Sequence, residues 1–571
     1  MGWPWRIYHV DDQAKDLRRQ TLDRYGGYAQ LSAFAPIVLF LLFRLSVWTL
    51  RTIKARRGSY DAVPASPSRK ALRQSPLGIW EARFRRLQWW LEDDVVLFGQ
   101  TWGRNDEWVF GTAWAIWLLF LSVPETGDDY FHLTKRFGII AISQLPLQYL
   151  LALKSLNPVA FVFKSSHEQV NRYHRVLGVI IYGLFILHAG LYSNYFIKES
   201  VLLEKLRTSR AVITGMIGIW SFTFLSTTAL RVIRDYSYRI FFITHVVVAI
   251  IIPPLIWFHA KSARIFVLEA FVVFLADLVS RKIDTVTSTA TLESIPGTSL
   301  IKVTTSIPVE KANRFRSHPG SHIYLQVPPG SRPSTSLASW DYLVHEFLYN
   351  PFTVAAVDEA TGDITLVARH HSGPVTSTLK QLTNNKTPQG AAQVQLAIEG
   401  PYGVPSFFPE LSEGGYDRIL LVAGGVGATF TVPLYRALAN DNPSTKVQLV
   451  WAVRGTADAD WVLAGTDGKA FAGSQNVQVF VTGSVDNGSG QQADGEGVEL
   501  TTLNHGHEIR HQLARPNLKK IVDGVFQQGL EERVAVLFCG PTEMGRELRR
   551  HVGVWVRKGR VVFWHSESFA W

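Results

Sequence analysis

Hydrophobic and polar positions divide this chain into two unlike parts, with the change at about residue 281. Before it, apolar residues come in runs long enough to cross a bilayer. Seven runs are expected as membrane-spanning helices: Leu31 to Leu50, Trp108 to Val123, Phe137 to Leu153, Val170 to Tyr192, Ala211 to Leu230, Tyr238 to Phe258 and Arg264 to Val279. The first carries Arg44 and the second is short. After residue 281, short apolar runs alternate with Gly, Pro and charge, the pattern of a soluble domain. SLIKVTTSI and HIYLQVPP read as strands of a small β-barrel over 285–410. From Arg418 the pattern switches to strand, glycine-rich turn and helix, RILLVAGGVGATFTVPLYRAL, opening an α/β domain over 415–571. The insert GSVDNGSGQQADGEGVEL, 483–500, is too polar and glycine-rich to pack and is expected to be a disordered loop.

Charge changes this picture by giving the spans a direction. Between Arg51 and Arg86 stand ten Lys or Arg against Asp61 and Glu81, which marks a cytoplasmic loop. PETGDDYFHLTKR, acidic at its start, should face out; Lys154 and Lys164, then Arg231, Arg234 and Arg239, then Arg281 and Lys282 return inside. Seven spans put the N-terminus outside and everything after residue 281 in the cytosol. These loops absorb most of the net charge of +11, so nucleic acid is not expected as a partner. The single cysteine, Cys539, excludes an intramolecular disulfide. MGWPWRIYHVDDQAKDLRRQ has no apolar stretch of a cleavable signal peptide, and Arg6 stands where myristoylation wants Ser or Thr. The basic segment 51–86 leaves three roles open: a regulatory site, a lipid-headgroup contact, or a linker.

Two of the spans carry the first candidate chemistry. NRYHRVLGVIIYGLFILHAG holds His174 and His188, fourteen positions apart, and YRIFFITHVVVAIIIPPLIWFHAKS holds His245 and His259 at the same spacing. Ionisable residues inside a membrane helix are costly and mark function by default. Fourteen residues close to within roughly 40° of whole turns and rise about 21 Å, so each pair shares one face at two depths. One intervening helix makes the two spans run in the same direction, so His174 meets His245 on the cytoplasmic side and His188 meets His259 on the outer side. Zinc would want more ligands at each level, and no Cys or carboxylate lies nearby in these helices. Haem brings four nitrogens of its own and asks only for axial ligands, and filling both axial positions favours electron transfer. Gly178 and Gly183 would give the macrocycles room.

Gly424, Gly425 and Gly427 allow a tight turn whose backbone N–H groups and following helix N-terminus can take a pyrophosphate. The later strands VQLVWAVRG and VAVLFCGPTEMGRELRR supply the βαβ context which that turn requires.

Several motifs occur together: the two paired-histidine helices, NPFT at 350–353, RHHSGPVT at 369–376, EGPYG at 399–403, AGGVGAT at 423–429, CGP at 539–541 and the terminal ESFAW. In that order they resemble the fungal ferric-chelate reductases of the wider family that includes the superoxide-generating NADPH oxidases, over about Phe137 to Trp571. The resemblance implies a multi-pass α-helical membrane domain with a bis-haem bundle, followed by a ferredoxin-reductase-like module of FAD-binding β-barrel and α/β NADPH-binding domain. Its cofactors would be FAD, NADPH and two haem b groups. The domains would run 1–30 (extracytoplasmic segment), 31–136 (two spans and the basic loop), 137–281 (haem-binding domain), 285–410 and 415–571.

Carried over to this chain, the resemblance implies roles for individual residues. Asn350 begins the flavin-binding NPFT segment; Pro351, Phe352 and Thr353 would hold the flavin ring, with Thr353 near its reactive edge. Arg369, Gly373 and Thr376 would lie near the FAD pyrophosphate. Gly424, Gly425, Gly427 and Thr429 would cradle the dinucleotide phosphates, and Arg454 would take the ribose 2′-phosphate. Cys539 and Gly540 would border the nicotinamide, and Phe569 would cap the isoalloxazine. One departure stands out: the family has His where this chain has Asn350, which can donate a hydrogen bond but cannot carry charge toward phosphate.

Function follows as an expectation. NADPH gives two electrons as hydride and FAD releases them singly through the haems to an Fe(III) chelate or siderophore outside, in iron or copper uptake. The resemblance favours metal over oxygen as acceptor, because both histidine pairs here share one spacing whereas the second pair is one residue shorter in the NADPH oxidases. Two other readings remain: a superoxide-producing oxidase, and a non-catalytic haem scaffold or sensor. Expected partners are membrane lipids, the chelate, and an iron permease or oxidase; the expected location is the plasma membrane or an endomembrane. Lys261 and Arg264, beside His259, would neutralise propionates, attract an anionic chelate or simply flank a span.

Overall fold

The computed structural model describes residues 5–8, 11–56, 76–332, 349–371, 373–384, 392–403, 415–441, 446–463, 474–483, 498–502, 508–529 and 531–567, with single residues at 405, 408, 411 and 471. The chain forms two compact units, Met1–Ser59 with Leu91–Ile283, and Tyr60–Trp90 with Asp284–Trp571.

The first unit is helical. Helix α1, Asp12–Arg56, contains the expected first span but starts nineteen residues earlier, with Pro36 inside it. Arg44 does not stay unpaired in that span: its Nη1 donates to the Val162 carbonyl at 2.8 Å. Among the described residues, four helices are long and apolar enough to cross a membrane: α1 (over Asp12–Thr49), and those here labelled α6 (His167–Lys198), α7 (Arg210–Thr228) and α8 (Tyr238–His259). The other expected spans differ in instructive ways. Trp108 to Val123 falls on α3, Asn105–Ser122, of eighteen residues. Phe137 to Leu153 is two helices, α4 (Tyr130–Ser143) and α5 (Leu145–Ala152), broken at Gln144 where Pro146 restarts the chain. The last falls on α9, Arg264–Asp284, in which Asp277 is buried and accepts from the backbone N–H groups of Ser155 and Leu156 at 2.8 and 2.9 Å. Ser166, Ser209 and Ser237 cap the N-termini of α6, α7 and α8 by accepting from backbone N–H groups.

The second unit opens with helix α2, Pro76–Leu91, which corrects the expectation of a loop through Arg86. Its apolar residues recur at helical spacing, a signal that the surrounding arginines obscured in the sequence. A closed six-stranded barrel follows: β3 (Val286–Ser294), β4 (Leu300–Thr305), β5 (His322–Gln326), β6 (Asn350–Val357), β7 (Ile364–Arg369) and β8 (Ala392–Tyr402), in the order 3-4-7-6-5-8. A helix, α10 (Pro374–Thr383), follows β7.

The remaining seven strands form one sheet in the order 12-13-11-10-9-14-15: β9 (Arg418–Gly424), β10 (Lys446–Val453), β11 (Val477–Val481), β12 (Val498–Thr502), β13 (Glu508–Gln512), β14 (Val534–Cys539) and β15 (Val562–Glu567). All pairs are parallel except β12 with β13. The end of the expected disordered insert is therefore ordered, since Val498 to Leu500 pair with Gln512 to Arg510; its remainder, 484–497, lies outside the described residues. Helices α11 (Ala428–Asp441), α12 (Leu518–Gln527) and α13 (Thr542–Arg557) flank this sheet. Its β9 and β14 strands are almost wholly buried on both faces, as a doubly covered parallel sheet requires.

Candidate functional site

The four membrane histidines meet in the two expected pairs. The His174 and His245 rings lie 6.0 Å apart between centroids, and the His188 and His259 rings 6.1 Å apart. Three of the four rings are oriented by backbone carbonyls, which can only accept: His174 Nδ1 donates to Gln148 O (2.9 Å), His188 Nδ1 to Thr134 O (2.8 Å) and His259 Nδ1 to Ala211 O (2.7 Å). Each Nδ1 therefore holds the proton and each Nε2 keeps its lone pair as an acceptor, the arrangement that a ligating imidazole requires; that of His174 has the Gln148 amide nitrogen 3.4 Å away. The Gln148 side-chain amide also donates to the His174 carbonyl at 3.0 Å. His245 differs, since its Nδ1 is buried without a hydrogen-bond partner. Facing imidazoles with fixed tautomers fit a haem at each level.

Two glycines make this support possible. A Cβ at Gly138 would come 2.8 Å from His188 Nδ1, and one at Gly215 would come 2.6 Å from His259 Cε1. Gly178 instead accommodates the Gln148 side chain, while Gly183 faces open space. Arg264, the first residue of α9, is held against the end of α8: it lies over the Trp257 ring and its Nε donates to the Trp257 carbonyl at 3.2 Å.

In the second unit, the sheet order reverses at β9, whose neighbours are β10 on one side and β14 on the other. Ligands bind parallel α/β sheets outside the carboxyl ends of the strands at such a switch point. Gly424 ends β9 and Cys539 ends β14, so the two glycine motifs meet there. Their contact explains the residue type. A Cβ on Gly427 would come 2.0 Å from the Cys539 carbonyl oxygen, one on Gly424 2.4 Å from Pro541, and one on Gly540 2.9 Å from the Gly424 nitrogen. Gly425 has φ +58°, a left-handed conformation that glycine adopts without strain, and its carbonyl accepts from the buried Trp451 indole at 2.9 Å. After this turn, α11 begins at Ala428, and Thr429 spends its hydroxyl on the Val426 carbonyl. Arg454 follows the carboxyl end of β10, one strand from Gly424, and is exposed.

Cys539 is a buried free thiol. Burial, with a smaller contribution from Glu567, pushes its pKa well up, so it stays protonated and acts as a neutral surface rather than a thiolate.

The flavin-side residues lie along the barrel. Asn350, Pro351 and Phe352 are half-buried at the start of β6, and Thr353 is buried opposite His322. Sequence reasoning missed the aromatic group beside them, in which His322, Tyr324 and Tyr402 have centroids 5.4 to 6.2 Å apart. Arg369 ends β7 against the Gly425 turn, within 3.9 Å of the Asp458 carboxylate, and its Nε is buried without a hydrogen-bond partner. Gly373 precedes α10, whose first residue, Pro374, has no N–H to lose at that position. Thr376 donates to the His371 carbonyl at 2.8 Å and shapes the loop before the helix. A guanidinium with a buried, unpartnered Nε and a helix N-terminus in one segment fit a pyrophosphate. Phe569 lies outside the described residues.

A multi-pass helical domain with paired imidazoles, joined in one chain to a barrel and a dinucleotide-type sheet, defines a membrane oxidoreductase driven by a nicotinamide nucleotide. Comparison with known proteins gives the particular family. Residues 137–256 match the ferric reductase like transmembrane component, 287–406 an FAD-binding domain, and 416–553 the ferric reductase NAD binding domain. The chain belongs to the ferric reductase family. It is similar to the probable metalloreductase AIM14 of Scheffersomyces stipitis, 24% identical over 433 residues and 72% of either chain. It also resembles the AIM14 protein of Meyerozyma guilliermondii, 23% identical over 78% of this chain and 86% of the relative. Ferric/cupric reductase transmembrane component 2 of Schizosaccharomyces pombe is 22% identical over 79% of this chain and 85% of the relative.

Proposed function

We propose that this chain is an integral membrane metalloreductase that takes electrons from cytosolic NADPH and delivers them to an Fe(III) chelate across the membrane, in iron or copper uptake. The observation that carries this reading is the facing of His174 with His245 and of His188 with His259, in a chain that also holds FAD- and NAD-binding domains. Bound there, FAD turns a hydride pair into single electrons and two haems relay them.

The residues of the chain bind and orient. The carbonyls of Gln148, Thr134 and Ala211 hold protons at Nδ1 and aim Nε2 of His174, His188 and His259 inward. Asn350, Pro351, Phe352 and Thr353 hold the isoalloxazine, and Arg369, Gly373 and Thr376 its pyrophosphate. The Gly424, Gly425, Gly427 and Thr429 turn takes the nicotinamide dinucleotide, Arg454 selects its 2′-phosphate, and Cys539 with Gly540 flanks the nicotinamide. The alternation of basic loops supports a cytosolic flavin module and an outward acceptor, with the plasma membrane as location and an iron permease or oxidase as partner.

Haem content tests the pairing. The purified protein should hold twice as much haem b per chain as its His174→Ala or His259→Ala variant; equal content in all three would refute the assignment.

A further inference from the structure

Helix α2 presents two opposite faces. Gly78, Ala82, Arg85 and Trp89, spaced four, three and four, are half-buried and share one face, with half-buried Leu91 at the helix end. Trp89 is fastened to the nucleotide domain. The Arg549 guanidinium lies 4.0 Å over its ring and donates to its carbonyl at 2.9 Å. The Trp564 ring meets it edge-on at 5.9 Å, and a Cβ at Gly553 would come 2.9 Å from its indole nitrogen.

The reverse face is apolar and open. Ile79, Trp80, Phe84 and Leu87 fall within about 140° of arc, centred almost opposite Trp89. They are 48, 64, 53 and 50% exposed, and Trp80 stacks on Phe84 with 8° between ring planes. Exposed Arg83 lies within this face and exposed Arg86 flanks it. A soluble surface rarely keeps a contiguous aromatic patch of this kind without a use for it.

Chain continuity says what covers it. Nineteen residues separate α2 from the end of the membrane helix α1, and thirteen separate it from the start of α3. Those thirteen form a hairpin, β1 (Asp94–Leu97) and β2 (Gln100–Arg104), so their reach falls well short of the roughly 45 Å that an extended chain would give. At the hairpin tip Phe98 is fully exposed at φ +51°, an unusual conformation for a bulky residue, between exposed Leu97 and Gly99. Long arginine stems can run along apolar surface and place their charge at lipid phosphates.

We infer that α2 is an interfacial helix: Ile79, Trp80, Phe84 and Leu87 lie in the headgroup–acyl boundary of an anionic leaflet, while Trp89 on the reverse face fixes the nucleotide domain to it. Amphipathic helices with Trp, Phe and Leu on one side and arginine beside them bind membranes in this way. The inference is independent of which acceptor the enzyme reduces.

The full chain in nanodiscs of phosphatidylcholine and phosphatidylserine tests it. Nitroxides are attached at Trp80→Cys, Leu87→Cys and Glu81→Cys; the native Cys539 is buried and does not compete. Labels at 80 and 87 should be relaxed by oxygen and shielded from a water-soluble nickel chelate, with nickel accessibility about tenfold below that at 81. Equal nickel accessibility at all three positions would overturn the inference. So would shielding of 80 and 87 from nickel and oxygen alike, which marks a protein cover.

Discussion

His188 on α6 donates its Nδ1 proton to the carbonyl oxygen of Thr134 on α4, across 2.8 Å. The carbonyl fixes the tautomer, the tautomer aims Nε2 at His259, and Gly138, one turn along α4, leaves the imidazole its place. The orientation of this histidine is thus specified by a backbone atom on a neighbouring helix and by a missing side chain.

Substituting those glycines should disturb one level of the site and spare the other. In Gly138→Ala or Gly215→Ala the new methyl group would stand 2.8 or 2.6 Å from the imidazole of His188 or His259. Resonance spectra of the haem held by those two residues should shift or lose intensity, with the His174–His245 signal unchanged. Relief by a rotamer change is poor, because the ring would lose its carbonyl partner at a cost of about 1–3 kcal/mol.

Arg454→Ala should separate the two nicotinamide donors. An exposed guanidinium after β10 can reach a 2′-phosphate that NADH lacks. Losing a charge-assisted contact worth about 1.5–3 kcal/mol should raise KM for NADPH by roughly ten- to a hundredfold and leave KM for NADH unchanged. Steady-state reduction of ferricyanide with each donor provides the measurement; an equal change for both would remove Arg454 from recognition.

At the start of β6, half-buried Asn350 stands where the resemblance in sequence implies histidine. Asn350→His should tighten FAD about three- to tenfold as an added donor gains partial charge. Isothermal titration of FAD into the apoprotein measures this, and the gain should shrink as pH rises and the imidazole loses its proton.

Much of this was legible in the sequence because it depends on period. Equal fourteen-residue spacings placed His174, His188, His245 and His259 in pairs, and AGGVGAT after an apolar strand placed the β9 turn. Other features left no such trace. The carbonyls of Gln148, Thr134 and Ala211 belong to no residue type, so nothing in the sequence marks them as supports. Gly138 and Gly215 resemble any small residues at helix contacts, and Gly178, which looked suited to a macrocycle, serves Gln148. Helix α2 was hidden by its own arginines, whose density suggested a loop while Gly78, Ala82, Arg85 and Trp89 kept helical register beneath them. The break at Gln144 was concealed by unbroken hydrophobicity, since hydropathy does not report where a span is interrupted.

The most direct test is reduction and reoxidation of the purified full-length protein in detergent, supplied with FAD. NADPH added without oxygen should reduce the haems, and ferric citrate should then reoxidise them much faster than air-saturated buffer does. Faster reoxidation by oxygen, with superoxide detected, or a haem that dithionite reduces and NADPH leaves oxidised, would contradict the account.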